Sequence, residues 1–294
     1  MNLPGLLATQ RGNTTPFAIH SDPAPAIWLN GNPDRSAALT RTFGRDLGAL
    51  SFTNPYTGRT EPVAYDIADA VEQRILHFVS ADPARTPTFT AFSGEDSYVG
   101  GGQPNCNQPC VYTTGAGYAW NHGSYWPDMQ DIWAGYAGPG ISARGTDATF
   151  TDQVDMRPTV LLLTGLQDRY QVDGVPVLPI IADSALSPAA RTHRAQLTTA
   201  EAAYKQLVAP TGTFAMHTLK ASTAAIKSDS PGDAQYAKTE NALSALGSAR
   251  DATGQQLAAA ILGATEGGSA QAVGRLSQLT SAASHQQEQA AALG

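Results

Sequence analysis

The chain has 294 residues, and 18 Lys+Arg against 25 Asp+Glu leave a formal charge of -7, which excludes a basic nucleic-acid binder. Hydrophobic residues at 42% and charged residues at 15% suffice for a buried core in one large domain or two small ones and exclude a disordered chain. There is no run of about 18 apolar residues and no basic-then-apolar leader, so neither a membrane span nor a signal peptide is expected.

In chain order, the first predicted element covers Asp66 to Ser80. Ile67, Val71, Ile75 and Phe78 recur there at spacings of four and three, the pattern of one helix face. Thr86 to Phe92 is β-branched and aromatic and reads as a strand, as does Ile132 to Ala137 before the turn Gly138-Pro139-Gly140. Arg157 to Leu166 reads as a helix, with Pro158 near its start, Gly165 near its end and Asp152 or Asp155 as cap. Helices are predicted near 187–208, 213–227, 233–262 and 270–291, separated by Pro- and Gly-bearing breaks.

Composition divides the chain near residue 182. Residues 1–182 hold 10 Arg, no Lys, 17 Asp+Glu, all four Trp and 16 of the 19 Pro, whereas 183–294 balance 8 basic against 8 acidic residues and are rich in Ala, Ser, Thr and Gln. We therefore expect an α/β region over 1–182 and a helical tail over 183–294. Thin Ala-rich stripes make that tail a domain covering or, alternatively, an interaction surface.

Signals for chemistry are few. Gly100-Gly101-Gly102 lacks the Gly-Lys-Ser/Thr ending of a phosphate loop, and Gly115-Ala116-Gly117 lacks the third glycine of a dinucleotide fingerprint. Cys106 and Cys110 are too few for a thiolate zinc site and read as a local disulfide or two thiols in a surface loop. Glu95 and Asp96 read as a solvated acidic turn. His122, set between aromatic residues and Gly123, can aim an imidazole into a cleft. His20, His77, His193, His217 and His285 have no carboxylate at ligand spacing.

The order of segments carries a resemblance. His122-Gly123-Ser124-Tyr125, a spacer with Met129, an apolar stretch ending in Gly138-Pro139-Gly140, and Pro158-Thr159-Val160-Leu161-Leu162-Leu163-Thr164-Gly165-Leu166 resemble the C-terminal part of the alkaline phosphatase superfamily. The nearest look is to nucleotide pyrophosphatase/phosphodiesterase-type and actinobacterial phosphoesterase-like members. The segments Gly5 to Phe17 and Phe52 to Gly58 resemble internal parts of the bacterial relatives, and the resemblance covers residues 1 to about 182 well and the helical tail more loosely.

This resemblance implies an alkaline-phosphatase-like α/β fold, a phosphate-ester substrate, zinc as cofactor with His122 as one ligand, and an exported parent protein. The departures are as telling. The family's nucleophile and its other Asp and His ligands come mostly from an N-terminal half, this chain has no Asp-His or Asp-x-x-x-His pair, and Gln153 stands where His is expected after Asp152. The expectation is a C-terminal fragment of a metal-dependent phosphoric ester hydrolase, inactive alone, whose N-terminal half is missing. The alternative is a non-catalytic binding or scaffold module with an interacting tail.

Overall fold

The computed structural model describes residues 1–54, 57–95, 97–101, 122–167 and 170–294. It is a mixed α/β protein with a small antiparallel sheet and a helical C-terminal part. Two compact units divide the chain: Met1–Ile132 with Thr218–Ser244 and Gly294, and Trp133–His217 with Ala245–Leu293. The change in composition at residue 182 coincides with none of the edges between these units.

In the first unit, α1 (Leu3–Arg11) starts where Asn2 accepts from the Gly5 amide and stops at Gly12, whose φ of 64° needs no Cβ. Strands β1 (Phe17–His20) and β2 (Ala26–Leu29) form a hairpin, and α2 (Ala38–Gly48) follows. A separate hairpin is made by β3 (Ser51–Thr53) and β4 (Thr60–Pro62). Then come β5 (Asp66–Ala68), α3 (Ala70–Ile75), β6 (Phe89–Phe92) and the short α4 (Pro127–Gln130). The main sheet has the order β1-β2-β6-β5, with Ile27 opposite Phe89 and Ile67 opposite Ala91.

The predicted helix over 66–80 is therefore split. Ile67 pairs in the sheet, and its amide and carbonyl are also bonded by Thr223 Oγ1. The Asp69 carboxylate then accepts from the Val71 amide and starts α3 four residues late. The strand predicted over 86–92 is present as β6.

Leu3, Leu6, Leu7, Phe43, Leu47, Ile67 and Phe89 close into one core that also takes Ala225, Ile226 and Tyr236 from the second stretch of this unit. Each Leu, Ile and Phe among them contributes about 1.5–3 kcal/mol by leaving water. Gly44 allows the close approach, since a Cβ there would lie 3.0 Å from Ile226 Cγ2 and 3.2 Å from Phe89 Cζ. Arg41 is buried among these groups. It donates to Asp233 Oδ1 at 3.3 Å and stacks on Tyr236, which donates to Asp69 Oδ2 at 2.5 Å.

In the second unit, α5 (Met156–Thr164) ends at Gly165 with φ 69°, as the Pro-to-Gly pattern predicts. Residues 132–137 form no strand, and Trp133 is 88% exposed. That run has the composition of a strand without a neighbouring strand to pair with. The predicted 187–208 helix is broken at His193 into α6 (Pro188–Thr192) and α7 (Arg194–Val208). The remaining helices are α8 (Thr213–Lys227), α9 (Ala234–Thr265) and α10 (Ala270–Ala291), close to the predicted spans. The unit edges after His217 and Ser244 fall inside α8 and α9.

α10 packs along α7. Gln196 reaches Ser277 and Gln287 reaches the Ala203 carbonyl, so positions advance together and the two helices run parallel. Leu197, Ala200, Tyr204 and Leu207 are buried at helical spacing on α7, as are Leu276, Leu279 and Ala283 on α10.

Candidate functional site

His122 lies on an exposed turn of the first unit, ahead of α4. Gly123 has φ 91°, and a Cβ there would overlap the Asp22 carboxylate. Both facts require glycine after the histidine. Asp22 follows β1, exchanges backbone bonds with Val99 at 3.1 Å and accepts from the Ala24 amide at 3.1 Å. Burial raises its carboxyl above the usual range, while the Ala24 amide and the nearby His122 and His20 oppose that rise. One carboxylate and two imidazoles thus share a neighbourhood.

The chain after His122 is fastened to the sheet. The Tyr125 hydroxyl donates to Asp66 on β5, and Trp126 Nε1 donates to the Ser93 carbonyl just past β6 at 2.7 Å. Tyr65 meets Trp126 edge-on at 5.5 Å, and Tyr125 packs on Phe92 at 5.0 Å. Burial and Asp66 push the Tyr125 hydroxyl far above its ordinary range, so it stays a donor. Gln130 Nε2 returns to the Ser124 carbonyl at 2.6 Å. The histidine turn is held at one end of strands β5 and β6 by bonds from both tyrosine and tryptophan.

The other sequence-nominated residues are dispersed. His20 ends β1, His77 follows α3 with φ 61°, His193 separates α6 from α7, His217 is within α8, and His285 lies 3.7 Å from Glu288 at the surface. Glu95 is exposed on the turn after β6, and Gln153 is exposed ahead of α5. Asp96, Cys106, Cys110, Gly102 and the Gly115-Ala116-Gly117 run lie outside the described residues. Among the described residues no group of three or more His, Cys, Asp or Glu is arranged to hold a metal ion.

A second polar constellation, in the second unit, was not nominated by the sequence. Asp155 is 1% exposed and accepts from Lys205 Nζ at 2.9 Å, from the Asp152 amide at 2.8 Å and from the Val175 amide at 3.0 Å. Thr159 Oγ1 donates to the Asp155 carbonyl and accepts from the Val177 amide. Glu201 accepts from the Leu178 amide at 3.2 Å, and burial raises its carboxyl to about 8. These groups satisfy a buried, irregular stretch of backbone. Their missed signal is the i, i+4 pair Glu201 and Lys205 on one face of α7.

No protein-family model, curated protein or solved structure matches the chain.

Proposed function

We propose that the chain is part of a metal-dependent phosphoric ester hydrolase of the alkaline phosphatase type, with His122 as one ligand of a zinc ion. The observation that carries this reading is the His122-Gly123 turn, whose glycine is required by the Asp22 carboxylate behind it. Asp22 lies near enough to interact electrostatically with His122, and a metal-ligating histidine is commonly oriented by a neighbouring carboxylate. Zinc, when bound, supplies Lewis-acid stabilisation of a phosphoryl oxygen. His122 offers one ring nitrogen to the ion, and Asp22 fixes the position of the turn that carries it.

A catalytic zinc takes three protein ligands, and the described residues contribute one. On this reading the remaining ligands and the nucleophile come from polypeptide outside the described residues, the substrate is a phosphate ester, and the parent protein is exported. Titration calorimetry with zinc is expected to give weak binding to the chain that disappears in His122→Ala. Nitrophenyl phosphate mono- and diesters are expected to remain unhydrolysed at alkaline pH. Zinc binding equal in the parent chain and His122→Ala would remove the basis of this reading.

A specific observation favours a second reading, a non-catalytic binding module. Trp133, Leu166 and Tyr170 in the second unit are large side chains with more than half of their surface in water, and aromatic side chains of this kind are enriched where proteins bind one another. Zinc titration separates the two, because the binding module needs no response at His122.

A further inference from the structure

Residues 173–181 form a strap in the second unit whose buried backbone is held by side chains instead of a β-ladder. Tyr204 donates to the Asp173 carbonyl at 2.9 Å, Asp155 accepts from Val175, Thr159 accepts from Val177, and Glu201 accepts from Leu178. Arg194 closes the far end through the Leu178 and Ile181 carbonyls at 2.8 and 2.7 Å. Val175, Leu178 and Ile181 are fully buried. The strap also carries the turn before it, since Ser142 donates to Ile180, Ala182 donates to Gly140, and Ile141 bridges Ile181.

Glu201 is the acid whose charge this arrangement cannot accommodate. On its own helix Lys205 already serves two carboxylates, Asp155 at 2.9 Å and Asp152 at 3.5 Å. The Asp155 carboxylate from the turn before α5 and the Asp147 carboxylate from the preceding loop both face Glu201 unfavourably, and Lys205 opposes them. The Arg194 guanidinium, at the start of α7, is engaged by Asp183 and the strap carbonyls. On α10, Arg275 bonds Gln256, and His285 stands beside Glu288 at the surface. One amide hydrogen bond from Leu178 does not replace the water an ionised carboxylate loses.

We propose that Glu201 is a proton-operated latch: its neutral carboxyl keeps the 173–181 strap closed on α7, and loss of the proton lifts the strap and releases the Gly138–Ser142 turn. To ionise, the carboxylate must reach water, and in the closed form it is buried and tied to the strap through the Leu178 amide. The closed form therefore holds a proton that the open form gives up at the ordinary glutamate value of 4.5, and it keeps that proton up to about 8. Closure is tightest below the open-form value, weakens as pH rises through that window and is constant above it.

Hydrogen exchange of the full chain, read by mass spectrometry on peptides spanning 174–181 and corrected for intrinsic exchange, tests the latch. The opening constant is expected to rise about tenfold per pH unit between roughly pH 5 and 8, and to be independent of pH in Glu201→Gln. A flat profile in the parent chain, or the same slope in Glu201→Gln, overturns the proposal. If Glu201→Gln does not fold, peptides from α10 in the parent chain decide: opening constants equal to those of the strap mean global unfolding and overturn the latch, and a strap that opens far more readily than α10 while keeping its slope upholds it.

Discussion

The Arg41 guanidinium lies 3.5 Å from the centroid of the Tyr236 ring, and only 1% of its surface is exposed. A cation is thus held inside the first unit by an aromatic face, by Asp233 and by two carbonyls of α8, those of Ala225 and Ile226. Arg41→Ala leaves Asp233 without this partner and opens a cavity under Tyr236. We expect it to cost about 3–5 kcal/mol in urea unfolding. Arg41→Lys should recover only part of that loss, because a point charge cannot stack as a planar guanidinium does.

Gly123→Ala should disturb the histidine turn by two routes, a left-handed backbone and an overlap with Asp22. A loss of about 1–3 kcal/mol is expected. Adding Asp22→Ala removes the overlap and should return part of it. Thermal unfolding of the single and double variants gives the comparison, and equal losses would mean that Asp22 does not confine the turn.

Asp155 accepts from one ammonium and two amides with its side chain almost wholly buried. Asp155→Ala should cost about 3–5 kcal/mol, since it leaves the buried Lys205 ammonium with only the longer contact to Asp152 and two strap and turn amides without their acceptor. Lys205→Met alone leaves the carboxylate without its ammonium, but the double variant Asp155→Ala with Lys205→Met should cost less than the two single changes added together. A double-mutant cycle in guanidinium measures the difference.

Global stability should fall as pH rises from about 5 to 8. Burial raises the carboxyls of Glu201 and Glu240, and Asp69 adds to the rise at Glu240. In that window the folded chain keeps protons that the unfolded chain has released, so each group costs up to about 1.4 kcal/mol per pH unit. A second decline should begin above about pH 10, where the unfolded tyrosines ionise and the buried Tyr125, Tyr204 and Tyr236 resist doing so. Melting temperature against pH reads both, and Glu201→Gln with Glu240→Gln should flatten the first.

Trp133→Ser should change unfolding free energy by no more than about 0.5 kcal/mol, because an exposed side chain gives up little on removal. Loss of several kcal/mol would show that the indole is part of a core.

The helices of the C-terminal part were legible because apolar spacing and Pro/Gly breaks are local signals. Gly165 ends α5 and Ser187-Pro188 opens α6 as their residue types require. Strand β6 was legible for the same reason. The hairpin β1–β2 and helix α2 were not, since Ala26 to Leu29 is too short to show alternation and Gly44 and Gly48 weaken the helical pattern. Ile67 is a strand residue only because Ala91 and Thr223 meet it from far along the chain. At the histidine turn, His122 was readable from its neighbours, but Asp22 stands a hundred positions away and only folding brings it behind Gly123.

The core of the first unit draws Ala225, Ile226 and Tyr236 from beyond the whole sequence of residues 133–217. During synthesis the ribosome must therefore release more than two hundred residues before Phe43, Ile67 and Phe89 meet their last neighbours. The hairpin β1–β2 can form early from adjacent sequence, but β6 and α2 wait with apolar faces in water. A chain halted after residue 132 would present that open face to chaperones and proteases, and joining the N-terminal segment to the stretch 218–244 through a short linker is the rearrangement that would shorten the wait.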